Sequence, residues 1–103
     1  MKLTLLQRDG DTLTAPEELT IHSVEQLKDD LVIAVGGSDE LVTIAMDRVG
    51  LIDTAAVQLL LSARLTLAGS GRELKIDRPS EAFRSTVSRL GLEDALLGGA
   101  PNI

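Results

Sequence analysis

Leu41-Val42-Thr43-Ile44-Ala45-Met46 is nearly continuously apolar, and no other stretch constrains the fold as much. A strand that is apolar at successive positions has no side that faces water, so it belongs inside a sheet with helices over its faces. The strand-like run extends to Ile52, and a leucine-rich segment follows from Ala55 to Ala68. Within that segment Val57, Leu60, Leu61, Leu65 and Ala68 recur at helical spacing, and Gly69-Ser70-Gly71 ends the stripe. Asp53-Thr54 is therefore a short polar pair at a strand-to-helix junction.

The flanking segments extend this alternation. Leu3 to Leu6 is a short apolar run that meets turn chemistry at Arg8-Asp9-Gly10-Asp11, and Thr12-Leu13-Thr14 reads as its returning strand. Leu19-Thr20-Ile21 alternates, and Ser23-Val24-Glu25-Gln26 fits a capping box opening a helix. Val24, Leu27, Leu31 and Val35 form that helix's apolar stripe, which Gly36-Gly37 stops. Leu74-Lys75-Ile76 is a further strand. Pro79 or Ser80 opens a third helix with Phe83, Val87 and Leu90 on its apolar face and Gly91 as its stop. Leu92 to Leu97 closes the chain as a short helix.

The expected fold is α/β: one domain over residues 1–103, with a mixed four- to five-stranded sheet and the order β-β-β-α-β-α-β-α(α). Residues 98–103 are expected to be a loose tail. In such sheets partners meet the chain at the carboxyl ends of strands, which is where Asp53-Thr54 falls.

Composition narrows the function. Phe83 is the single aromatic residue, leaving almost nothing to stack on bases or planar cofactors, and sixteen acidic residues against ten basic give a net charge of −6. Nucleic acid is excluded as the expected partner, and a basic protein patch fits better. The absence of cysteine removes disulfides and thiolate metal sites. No apolar run reaches the roughly 18 residues of a membrane span, and Gln7-Arg8-Asp9 interrupts the N-terminal apolar stretch before it resembles a signal peptide. A cytoplasmic, unexported protein is expected.

At the junction, Asp53 or Thr54 is a helix N-cap, which stabilises a helix by about 1 kcal/mol. A hydroxyl there is also suited to phosphorylation, because the helix dipole and free amides tolerate the added charge. Ala56, Leu59, Ala63 and Leu67 form a second apolar stripe on the same helix. It is expected either to pack against the helix from Ser80 to Leu90 or to expose a small patch around Ala56 and Leu59 beside Asp53. His22 is assigned no role. Asp29-Asp30 and Glu17-Glu18 read as solvated acids, so no metal site or cofactor is expected. Gly69-Ser70-Gly71-Arg72 follows a helix and precedes a strand, the reverse of a phosphate-binding loop. No nucleophile–base set can be assembled around Thr54, so the chain is not expected to be an enzyme.

Three segments resemble STAS domains, the family that includes bacterial anti-sigma factor antagonists: Pro16-Glu17-Glu18-Leu19-Thr20-Ile21, Ile52-Asp53-Thr54-Ala55-Ala56 and Leu90-Gly91-Leu92. The resemblance runs from about Leu13 to Leu97. It implies a signalling and binding module whose antagonist members bind an anti-sigma factor that is also a serine kinase-like ATPase, with phosphorylation releasing the complex. In those members the junction looks like Asp-Ser-Ser-Gly and the second hydroxyl is the usual acceptor. Aligned without gaps, Asp53 matches the aspartate, Thr54 the first hydroxyl, Ala55 the acceptor position and Ala56 the glycine. The implied partner-binding residues are Asp53, Thr54, Ala55, Ala56 and Leu59. Either Thr54 replaces the usual phosphate acceptor or the chain docks constitutively. Asp-Thr-Ala junctions are also similar to those of STAS proteins found with chemotaxis signalling components and of the small cytoplasmic subunit of a phospholipid-transporting ABC system, which makes a chemotaxis kinase or a transporter ATPase the rival partner.

Overall fold

Four strands make the main sheet in the computed structural model, which describes residues 2–98. Gln7–Asp9 (β1) and Thr12–Thr14 (β2) form an antiparallel hairpin with Arg8 opposite Leu13. Leu41–Ala45 (β4) lies parallel to β2, and Glu73–Asp77 (β6) lies parallel to β4, giving the order β1-β2-β4-β6. A separate parallel pair joins Glu18–Leu19 (β3) to Leu51–Ile52 (β5). The helices are Val24–Gly36 (α1), Thr54–Gly69 (α2), Glu81–Arg89 (α3) and Glu93–Leu97 (α4). The mixed α/β class stands, with one element added: the run from Leu41 to Ile52 is two strands, β4 and β5, in different sheets.

The sheet alternation decides where the core lies. Leu13, Val42, Ile44 and Leu74 are buried in neighbouring strands, while in β4 Leu41 is 48% exposed and Thr43 half-buried. The central strand is thus sealed on one face and open towards its start on the other, a correction to the expectation of cover on both. Leu27 and Leu31 of α1, Val57, Leu60 and Leu67 of α2, Phe83 and Val87 of α3 and Leu96 of α4 fill the sealed side. Each such side chain is worth about 1.5–3 kcal/mol of transfer free energy. Leu90, assigned to the apolar face of α3, is instead its partly exposed C-cap.

The two stripes of α2 are one broad buried face, comprising Ala56, Val57, Leu60, Ala63, Leu67 and Ala68, with Leu65 turned to solvent. This face packs on α1 and β6, so the second stripe does not find its expected neighbour in α3. Both α2 and α3 end in the same way. Gly71 (φ +74°) and Gly91 (φ +71°) adopt the left-handed region that side chains resist. The following amides turn back, Arg72 N–H to the Leu67 carbonyl at 2.8 Å and Leu92 N–H to that of Val87 at 3.0 Å.

Long-range polar links through Asp30, Arg72 and Arg64 help to bind these elements, and none was expected. Asp30, read as a solvated acid, is completely buried on α1. Its Oδ1 accepts the Thr4 N–H at 2.8 Å, and its Oδ2 accepts the N–H groups of Leu5 and Leu6, each at 2.7 Å. Those amides are spent on a side chain, so Leu3 to Leu6 is not the first hairpin strand, which forms at Gln7–Asp9 instead. Burial alone pushes the Asp30 carboxyl up, but the amides of Leu6, Thr4 and Leu5 with the Thr4 hydroxyl outweigh it and hold it below the ordinary aspartate value. Arg72 donates to the Val35 and Asp39 carbonyls, both at 2.7 Å, and so satisfies the C-terminal end of α1. Arg64, only 2% exposed, donates to the carbonyls of Ala95 and Gly98 at 2.7 Å and ties α4 to α2. Gly98 is therefore held, and the rest of the expected loose tail lies outside the described residues.

Candidate functional site at the β5–α2 junction

The junction is built from two short loops that meet across the β3–β5 pair. Glu17 O accepts the amides of Gly50 at 2.8 Å and Leu51 at 3.1 Å, and Leu19 O accepts that of Asp53 at 3.1 Å. Asp53 is the N-cap of α2, in extended conformation, and its Oδ1 accepts the Ala56 N–H at 3.2 Å. The same carboxylate reaches the loop between β3 and α1, where Oδ2 accepts the Ile21 N–H at 2.7 Å. Both carboxylate oxygens of Asp53 are committed inside the chain.

Thr54 is the first residue of α2 and is exposed, and its hydroxyl makes no hydrogen bond to another described residue. The capping role expected of either residue belongs to Asp53, and Thr54 presents a free hydroxyl at the positive end of a 16-residue helix. Ala55 is half-buried and Ala56 fully buried, so Ala56 shapes the junction from below and does not form part of an exposed patch. Leu59 is half-buried one turn further on, in an apolar cleft of about 430 Å³ between α1 and α2 that Leu31, Val32, Val35 and Ala63 also line. Asp53 and Thr54 are together at the helix start, and Leu59 opens onto the cleft.

Two apolar side chains at the junction escape sequence reasoning. Ile21 is 68% exposed and Leu51 is 54% exposed. Alternation with buried Leu19 would turn Ile21 inward, but extended backbone stops at Leu19. The Ser23 N–H bonds the Thr20 carbonyl at 2.9 Å, and the Ser23 hydroxyl accepts the Thr20 N–H at 3.1 Å. This turn carries Ile21 outward. It also occupies the Ser23 side chain, so the expected capping box does not form and α1 starts without a side-chain cap. The turn's signal is Thr20-Ile21-His22-Ser23, in which two hydroxyl residues bracket a four-residue reversal.

A groove of about 470 Å³ adjoins the junction, lined in part by Glu17, Glu18, Thr20, His22 and Arg48. His22 is exposed on its rim. Among the described residues no group of three or more His, Cys, Asp or Glu could hold a metal ion, and no helix is long and apolar enough to cross a membrane.

The fold and this junction define a small mixed α/β domain that presents a hydroxyl at a helix start beside a half-exposed apolar surface. The family model described as "Mlab, STAS domain" matches residues 4–98, and the chain belongs to the STAS domain family. No curated protein sequence matches it. Among solved structures, the anti-sigma factor antagonist SpoIIAA in its unphosphorylated form is similar, with a TM-score of 0.70 and 22% identity over 84% of this chain and 79% of that one. The Bacillus cell fate determinant SpoIIAA in its phosphorylated form has a TM-score of 0.64 and 23% identity over 84% and 82%. At these identities the likeness is one of fold.

Proposed function

We propose that this chain is a non-enzymatic, cytoplasmic signalling module of the anti-sigma factor antagonist kind, docking a kinase-type anti-sigma factor through the β5–α2 junction. Thr54 is the contact at the centre of the surface and its candidate phosphate acceptor. Asp53, Ala55 and Ala56 shape the helix start beneath it, and Leu59 extends the surface towards the α1–α2 cleft. The observation that carries the reading is the division of labour at the junction: Asp53 spends both oxygens inside the chain, while Thr54 beside it spends none. The exposed side chains of Ile21, whose amide bonds Asp53, and of Leu51 on β5 supply apolar area at the same junction. The fold shared with a protein solved in both unphosphorylated and phosphorylated forms supports the same choice.

A second reading is favoured by Ala55, which stands where a switching hydroxyl would be expected. In that reading the chain docks constitutively, either as the cytoplasmic STAS subunit of a phospholipid-transporting ABC system or with a chemotaxis kinase, and Thr54 is a packing contact.

One experiment separates them. The tagged chain is captured from its native cells, the co-purifying proteins are identified by mass spectrometry, and the captured complex is incubated with ATP. Recovery of an anti-sigma kinase with phosphate on Thr54 supports the first reading. Recovery of a transporter ATPase or chemotaxis kinase, with Thr54 unmodified, replaces it with the second.

A further inference from the structure

The solvent-facing side of α2 carries no charge. The one ionisable side chain in its 16 residues is Arg64, which is buried, and its exposed positions are Thr54, Gln58, Ser62, Leu65, Thr66 and Gly69. Residues 31–36 of the neighbouring α1 are likewise uncharged. Between the two helices lies the apolar cleft, in which Lys28, at one end, is the single charged residue among the described ones that line it. Val32 is 59% exposed at the cleft and Leu65 is 48% exposed beyond Ser62. On a chain with sixteen acidic and ten basic residues, a continuous face without charge has the make-up of an interface core.

We propose that this face is covered by a second copy of the chain, in a two-fold dimer that closes the α1–α2 cleft. The proposal stands apart from the docking reading, because Thr54 does not line the cleft; Leu59 is the one residue that both surfaces use.

Charge selects that occupant. Two copies of a chain of net charge −6 repel one another over most of their surfaces, and the uncharged face is where they can meet without setting acid against acid. A partner attracted by the acidic character of this chain would be drawn to other surfaces. The helix directions point the same way. α1 and α2 each lead from the parallel β3–β5 pair to the parallel strands β4 and β6, so they run side by side in one direction with their dipoles aligned. A copy turned about a two-fold axis across the helices lays antiparallel helices on them, offsetting the dipoles as in an antiparallel bundle. The same turn carries its Lys28 towards the C-terminal ends of the helices it covers, where a cation is favoured. Val32 lies midway between Lys28 and Gly36, and Ser62 midway between Gln58 and Thr66, so each meets its own counterpart near the axis.

The area sets the strength. Two helices about 10 Å wide, in contact over some 20 Å of their length, give a footprint of roughly 400 Å² per copy, about half that of a standard interface. The dimer is therefore weak, with dissociation in the micromolar range.

The test is sedimentation equilibrium of the full chain from about 5 to about 500 μM, which brackets that range. A monomer–dimer equilibrium is expected. Ser62→Glu and Ser62→Lys each place a charge opposite its own copy and should each weaken association by about tenfold or more. An equimolar mixture of the two variants should dimerise at least as well as the wild type, since the charges then face their opposites. Ser88→Glu makes the same charge change at an exposed position on α3 and should leave association unchanged. Circular dichroism checks that every variant keeps its fold. A wild-type chain that stays monomeric throughout overturns the proposal and leaves the face to a different protein. A dimer indifferent to both Ser62 variants, or weakened equally by Ser88→Glu, overturns it by placing the contact elsewhere. Failure of the mixture to recover overturns the two-fold arrangement, because Ser62 then does not meet its own copy.

Discussion

Asp53 holds Ile21 by a 2.7 Å hydrogen bond across 32 residues of sequence while capping α2 with its other oxygen. A residue that looks like a contact in a junction motif is thereby a structural tie. Asp53→Ala removes a helix cap and a charge-assisted bond together, and is expected to lower stability by about 2 kcal/mol. Thr54→Ala, which removes neither, is expected to stay within about 0.5 kcal/mol of the wild type. Urea unfolding of the two variants checks this directly, and an equal loss in both would return the capping role to Thr54.

Binding should follow the opposite order of cause. Ile21→Asp and Thr54→Glu place charges on exposed positions and leave the core untouched, so both variants are expected to remain folded. Each nonetheless puts an uncompensated charge into a close interface, and partner affinity is expected to fall at least tenfold. Titration calorimetry with the captured partner measures it. Wild-type affinity in both variants would remove the junction from the interface.

Asp30 gives the fold a defined acid sensitivity. Its carboxyl is held below the ordinary aspartate value in the folded chain, so the unfolded state binds the proton more readily. The stabilisation is fully present above the unfolded value, near 3.9, and is lost as pH falls through the lower folded value. Asp30→Asn replaces an acceptor facing three amides with a group that is half donor. It is expected to cost about 2 kcal/mol at neutral pH, with the difference from wild type shrinking as the pH drops below about 4. Urea midpoints between pH 7 and pH 3 test both parts.

What was legible in the sequence follows range. The apolar run of β4, the helix after Asp53, the Ser80 start of α3 and the glycine stops at 71 and 91 are written in local periodicity and turn chemistry, and they stand in the structure. Most misreadings come from partners distant in sequence, although the capping box at Ser23 was lost to a local turn with Thr20. Nothing near Leu3 to Leu6 announces that Asp30 takes their amides. β3 and β5 have two residues each, below the length at which alternation is a signal. The breadth of the α2 apolar face was visible, but not that α1 covers it. At the site, the Asp53-Thr54 pair was legible as a junction, whereas Ile21 became visible only once the turn at Ser23 had reversed its direction.

Arg64 carries the last expectation, because a buried arginine on α2 is the tether of α4. Its guanidinium donates to the Ala95 and Gly98 carbonyls, groups at the end of a five-residue helix too short to be stable alone. Arg64→Met keeps an apolar stem of similar reach and removes the donors, so its cost isolates the hydrogen bonds from the packing. Two part-buried carbonyls left without charged donors should cost about 2 kcal/mol. The loss should also be local, with the α4 amide of Leu96, bonded to the Leu92 carbonyl, exchanging much faster while those of β4 keep their relative protection. Arg64→Lys supplies one point charge where a planar fork met two carbonyls, and should recover only part of the difference. Unchanged unfolding midpoints and unchanged Leu96 exchange in the methionine variant would mean that apolar packing through Leu96 alone holds α4 to the domain.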